Sequence, residues 1–322
     1  MAETVNIAEA SAKISRDIFN VFKWKVSENY DVNLDCEIEE HCKPSHPCDC
    51  VFYYIDPYTS KFVFLNTDLK SFAVNSITKG SIETALKSLS LAIHCANFSE
   101  SWNDKYLIPL DMRDYDIRGF LFVYNHDDMY DKNFSDLLSK IQLPNLVKKQ
   151  KIHVFSPQVI NKLHSIALDF KAAKSDLDIE KYTFWYPDMI LHKVRYGEEW
   201  EQPATIEMLC SPLIIIKYKD RKGEEGFIIY YNREGDTVEE FVYLIDLLSH
   251  YQILKMSKKI ELRVISENLS DNVLNNMRNA KISYLQTWGL DDIREDQLNL
   301  ISVFEVTRSV ERFNLSSFGW RK

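Results

Sequence analysis

No run in this chain of 322 residues approaches the roughly 20 apolar residues that a membrane-spanning helix needs. The stretch Leu213-Ile214-Ile215-Ile216 is too short, and Lys217 and Lys219 follow it. The N-terminal residues lack a basic segment leading into an apolar core, so secretion is not expected and a cytoplasmic location is. The Cys-x2-Cys knuckle of structural zinc sites is also missing. Six cysteines stand at positions 36, 42, 48, 50, 95 and 210. Four of them crowd residues 36–50, with His41 and His46 between, but their spacing reads as reduced thiols on a loop and a strand. His94, beside Cys95, reads as a structural histidine. There is no surplus of positive charge either. The net charge of −9 argues against a freestanding, nonspecific nucleic-acid binder, because phosphate contacts need Lys and Arg. An acidic metal site adds negative charge that its ion offsets, so a nuclease stays open. No internal repeat or low-complexity tract is visible.

What is present is ordinary globular composition, 45% hydrophobic and 27% charged, in a length that suits two domains. Ile7, Ile14, Ile18, Val21 and Phe22 form a helical stripe over 5–23. Residues 31–47, with Pro44 and Pro47, read as a loop. Two apolar strands follow at 49–55 and 62–68, joined by Asp56-Pro57-Tyr58-Thr59-Ser60, which is turn chemistry. A helix spans 81–98 with Ser81 as a plausible N-cap. Strands at 118–124 and 151–155 alternate with helices at 133–141 and 156–173, which argues for an α/β layered domain over 1–175. The polar stretch 174–182 marks a boundary. Residues 182–322 read as a mixed α/β or α+β domain. Its strands are expected at 183–194, 205–218, 226–232, 260–265, 281–288 and 300–310, and its helices at 237–255 and 270–280.

The chemistry is expected between Asp49 and Lys70. On a strand, residues i and i+2 share a face, so Asp68 and Lys70 project together. A hairpin brings Asp49 alongside. Two carboxylates and an ammonium then converge, the minimum equipment for metal-assisted phosphodiester hydrolysis. Two other acid-x-Lys triplets occur. Asp169-Phe170-Lys171 falls on a helix, where i and i+2 diverge, and Asp220-Arg221-Lys222 falls in a polar turn. Lys148-Lys149-Gln150-Lys151 reads as a solvated basic turn. Phe52, Tyr53, Tyr54, Phe62 and Phe64 read as sheet core.

Over residues 1–155 the pattern resembles the PD-(D/E)XK nuclease superfamily, closest to its Holliday-junction-resolvase and Mrr-like groups. The residues that carry this are Glu9-Ala10-Ser11-Ala12 on the first helix, Phe22-Lys23-Trp24-Lys25-Val26 at the strand entry, Asp49, and Asp68-Leu69-Lys70. There are departures. Pro47-Cys48-Asp49 replaces a Pro-Asp pair, Lys23 stands where the family has a glycine, and Glu9 lies about one helical turn farther from Trp24 than usual. The resemblance implies a restriction-endonuclease-like central mixed sheet flanked by helices. It implies Mg²⁺ or Mn²⁺ held by Asp49, Asp68 and the Leu69 carbonyl, Lys70 acting on the attacking water, and Glu9 near a second ion or a water. It further implies DNA as substrate, products with a 5′-phosphate and a 3′-hydroxyl, a homodimer or partner subunit, and a role in defence against foreign or phage DNA. A non-catalytic nucleic-acid-binding or scaffold subunit of a defence complex is the rival reading, and a metal-dependent RNase is another.

Overall fold

The computed structural model describes residues 2–107, 114–143, 150–187, 199–266, 269–289 and 292–306, with side chains from Ala12 onward. The chain divides into two compact units, residues 1–164 and 165–309. In the first, α1 (Ala2–Val21) leads into a core through Ile14, Ile18, Val21 and Phe22, all buried at helical spacing. The helix stops because Lys23 turns left-handed, at φ +61°. The Lys23 N–H then donates to the Asn20 carbonyl (3.2 Å) and the Trp24 N–H to the Phe19 carbonyl (3.0 Å). The Trp24 ring stacks on Phe19 with centroids 4.4 Å apart. Both bonds and the apolar contact are those of a Schellman cap, in which glycine is the usual left-handed residue.

The elements that follow are β1 (Lys25–Val26), β2 (Val32–Asp35), a 3-10 turn (Glu39–His41), β3 (Ser45–Cys48), β4 (Cys50–Ile55), β5 (Phe62–Phe72), α2 (Lys79–Ala96), α3 (Glu100–Tyr106), β6 (Tyr115–Asn125), α4 (Phe134–Leu138), β7 (Ile152–Phe155) and α5 (Pro157–Asp176). The main sheet runs β1-β4-β5-β6-β7. Its first two pairings are antiparallel and its last two parallel. The central strands β5 and β6 are rich in buried apolar residues, as strands covered on both faces must be. α2 comes so close to β6 that a Cβ at Gly119 would collide with Ile93.

Two expectations change here. The loop expected at 31–47 contains a second, two-stranded sheet, with Val32 paired to Cys48 and Asp35 to Ser45. Its strands are only four residues long and hold a proline, so periodicity had little to act on. The N-cap of α2 is Thr78 rather than Ser81. Ser81 occupies the third helical position and completes a reciprocal capping box with Thr78.

The second unit holds β8 (Ile179–Phe184), α6 (Ile206–Cys210), β9 (Leu213–Asp220), β10 (Glu225–Tyr231), α7 (Val238–His250), α8 (Ile253–Met256), β11 (Ile260–Val264), α9 (Val273–Trp288), α10 (Asp292–Asn299) and β12 (Ile301–Glu305). The strand expected at 281–288 is the second half of α9. Val273, Met277, Ala280 and Tyr284 recur on its buried face, so helical spacing outweighs the β-branched and aromatic content. The start of the strand expected at 205–218 is instead α6, capped by the Thr205 side chain. Residues 188–194 of the strand expected at 183–194 lie outside the described residues.

The second sheet runs β8-β9-β10-β11-β12 along the chain, and its pairings are antiparallel, antiparallel, parallel, parallel. That is the plan of the first sheet, strand for strand. A long helix precedes each sheet, and a long helix followed by a short one links the third strand of each to the fourth. The third strands also match. β5 is buried from Phe62 to Thr67 and emerges at Asp68, while β10 is buried from Gly226 to Tyr231 and the chain emerges at Asn232. A repeat invisible in residue identity is plain in topology.

The cap of α1 yields a test. A left-handed non-glycine residue costs about 1 kcal/mol, so Lys23→Gly should raise the free energy of unfolding by about that amount in urea titration. A destabilised variant would mean that contacts of the Lys23 side chain outweigh the backbone cost.

Candidate active site

The site forms where β5 outlasts β4. The last pair between them is Cys50 with Thr67, while β5 continues to Phe72 alongside β6. Beyond Thr67 the strand leaves the core, and polar residues become affordable. Asp68 and Lys70 project from the same face, and their side chains form an ion pair at 2.6 Å. Asp49 sits at the junction of β3 and β4. Its N–H donates to the Thr67 carbonyl at 3.2 Å, and its carbonyl accepts the Asp31 N–H at 2.9 Å. Its carboxylate Oδ2 accepts the Leu69 N–H at 2.6 Å. Asp49 is thereby seated against the backbone between Asp68 and Lys70.

Burial pushes the Asp49 carboxyl up to about 6, against the pull of the Leu69 amide. The neighbouring Asp68 carboxylate pushes the same way, Lys70 opposes, and Asp31 adds a smaller push upward. Two carboxylates lie together, one of them starved of water, and their oxygen donors suit a hard divalent cation. The structure thus brings together Asp49, Asp68 and Lys70, with Leu69 contributing its amide to Asp49. Glu9 lies on α1, and its side chain is outside the described residues. Asp31 is an acidic neighbour that the sequence did not single out, since nothing in a polar stretch marks it.

The other acid-x-Lys triplets are engaged elsewhere. Asp169 accepts the Tyr230 hydroxyl at 2.6 Å and two bonds from Arg263 at 2.9 Å. Asp220 accepts the Lys222 and Glu224 amides inside the β9–β10 turn. Lys151 pairs with Asp116 at 2.8 Å, and Lys148 and Lys149 lie outside the described residues. Phe52, Tyr54, Phe62 and Phe64 are buried in the core.

In the second sheet the corresponding places hold different chemistry. Pro212 precedes β9 where Asp49 precedes β4, and Asn232-Arg233-Glu234 follows the buried run where Asp68-Leu69-Lys70 follows it. The carboxylate pair and the lysine are both missing from these positions.

Residues 1–159 match the model of a family described as the GAPS4 protein PD-(D/E)XK nuclease domain. This segment belongs to the PD-(D/E)XK nuclease superfamily. Its mixed sheet flanked by helices is the restriction-endonuclease-like fold, as the resemblance implied. No curated protein matches the chain. Within this nuclease domain Lys23 explains a departure. It stands where the resemblance implies a glycine, and its backbone is left-handed, a conformation that favours glycine.

The raised Asp49 carboxyl makes a signed prediction. Folding favours its protonated form, so its contribution to stability is full below the ordinary carboxylate range and lost as pH rises through about 6. In metal-free protein, Asp49→Asn should therefore be more stable than wild type by about 1–3 kcal/mol near about pH 8, and the gap should close below about pH 4. Denaturant titration at both pH values measures it. An unchanged difference would mean that the carboxylate is well solvated.

Proposed function

We propose that the first unit is a Mg²⁺- or Mn²⁺-dependent endonuclease that hydrolyses DNA phosphodiester bonds, in defence against foreign or phage DNA. The observation that carries this reading is the meeting of Asp49 with the Asp68–Lys70 pair at the emerging end of β5, in a domain of a nuclease superfamily. Asp49 and Asp68 would hold the ion, with the Leu69 carbonyl as a third donor. When bound, a divalent ion supplies Lewis-acid polarisation of the scissile phosphate and a more acidic water.

The chain's own residues supply the rest. Lys70, aimed by its ion pair with Asp68, orients the attacking water and offsets the negative charge that grows on the phosphate oxygens. The Leu69 amide holds the Asp49 carboxylate in place, so its position is set before substrate arrives. Glu9 on α1 is assigned to a second ion or a water. Cleavage would leave a 5′-phosphate and a 3′-hydroxyl.

The net charge of −9 suits an enzyme whose nucleic-acid surface is completed by a second copy or by a partner subunit. The second unit, with Pro212, Asn232 and Glu234 in place of the acidic pair and lysine, is assigned to substrate selection or assembly. The same acidic balance favours, as a second reading, a nucleic-acid-binding or scaffold subunit without catalysis.

Cleavage of linear, supercoiled and branched DNA, with RNA as competitor, tests this. With Mg²⁺ or Mn²⁺, Lys70→Ala should cut more slowly by about 10²–10³-fold. Asp68→Ala should lose both metal binding and cutting. Equal cutting by wild type and Lys70→Ala would remove the site from residues 49–70. DNA binding by a chain that neither binds Mg²⁺ nor cuts would establish the scaffold.

A further inference from the structure

The β2–β3 hairpin carries a group of side chains that the nuclease reading leaves unused. Cys36 follows β2, His41 closes the 3-10 turn, and His46 lies in β3. The Cys36 sulfur is 3.4 Å from His41 Nδ1 and 3.1 Å from His46 Nε2, and those two nitrogens are 3.1 Å apart. Each of the three atoms touches both others. His41 and His46 are buried.

Hydrogen bonds account poorly for such a triangle. A ring nitrogen has one in-plane position, filled by a proton or by a lone pair. It cannot donate to one neighbour and accept from the other. Two ring nitrogens and a thiol therefore cannot all be joined by well-formed bonds. A cation at the centre satisfies all three atoms at once. With bonds of about 2.05 Å to nitrogen and about 2.3 Å to sulfur, a tetrahedral zinc ion gives an N···N edge of about 3.3 Å and an S···N edge of about 3.6 Å. The observed edges of 3.1, 3.1 and 3.4 Å sit slightly inside these, as a triangle would before an ion spreads it.

The surroundings fit a metal centre. His41 faces the triangle through Nδ1, and its Nε2 is 2.9 Å from Nδ1 of His94 on α2. That is the outer hydrogen bond by which a ligating histidine is usually held in one tautomer. The next residue, Cys95, lies outside this group of three and accepts the Glu37 N–H at 3.4 Å.

We propose that Cys36, His41 and His46 bind a zinc ion, with His94 as the positioning residue for His41. Sulfur and imidazole donors in a tetrahedral set select zinc, whereas the carboxylates at Asp49 and Asp68 suit Mg²⁺ or Mn²⁺. The ion would join both arms of the β2–β3 hairpin and, through the contact of His41 with His94 on α2, steady β3, which runs directly into Asp49.

The test is metal analysis of the full chain purified from zinc-supplemented medium, with X-ray absorption at the zinc edge. The expected result is about one zinc per chain, bound by one sulfur and two nitrogens, with a lighter oxygen donor completing the tetrahedron. Asp49→Asn and Asp68→Ala should keep that ion, and Cys36→Ser should lose it. His94→Ala should keep the ion but bind it about ten-fold more weakly in competition with a chelator. Because Cys36→Ser risks misfolding, the wild type is also stripped and reloaded with Co²⁺, which should give the visible bands of a tetrahedral thiolate site. No zinc and no such bands in wild type would overturn the proposal. Zinc lost from Asp68→Ala but kept by Cys36→Ser would move the ion to the acidic site.

Discussion

The hydrogen bond from the Leu69 amide to the Asp49 carboxylate follows from a mismatch in strand length. β5 has eleven residues and β4 has six, so the ladder between them stops at Cys50 and Thr67. Past that point β5 keeps its partner β6 but loses the one on its other side. A backbone donor in a half-buried place must find an acceptor. Asp49 supplies one, and in doing so its carboxylate gives up water. The cost of satisfying a stranded amide thus becomes the electrostatic character of the site. A carboxylate poor in water and close to a second acid is a place that a cation stabilises.

How much of this was legible in the sequence depends on the range over which each signal acts. Asp68 and Lys70 were readable because strand alternation is a two-residue rule and an apolar run precedes them. Asp49 was readable because it opens the preceding apolar run. Asp169 and Asp220 were set aside by the same local logic, and each has structural partners in the folded chain. The β2–β3 hairpin was missed because four-residue strands with a proline carry almost no periodicity. In 281–288, tyrosine and isoleucine favoured a strand, yet the burial of Met277, Ala280 and Tyr284 on one face settled a helix. Local propensity lost there to packing against a core that the sequence does not display.

The cysteine and histidine cluster shows a different limit. Cys36, His41 and His46 are five residues apart in turn, which matches no familiar knuckle, and His94 and Cys95 arrive from another element. Their convergence depends on a hairpin folding against α2. The duplicated sheet plan was hidden for a similar reason. Strand order and direction are set by which backbones pair, and very different side chains satisfy the same pairing. The apolar runs Phe62–Leu65 and Phe227–Tyr230 both serve as third strands, although nothing beyond their hydrophobicity relates them.

Two sheets of one plan, with only one bearing the acidic pair and lysine, set unequal constraints along a single chain. On the proposed function, Asp68-Leu69-Lys70 serve chemistry as well as the ladder. At Asn232-Arg233-Glu234 the ladder has ended and that chemistry is not required. On its assignment to substrate selection or assembly, the second sheet answers to packing and to the surface it presents. Substitutions at its emerging strand end are filtered by solubility and binding rather than by turnover. The two halves should therefore drift at different rates at the same structural address.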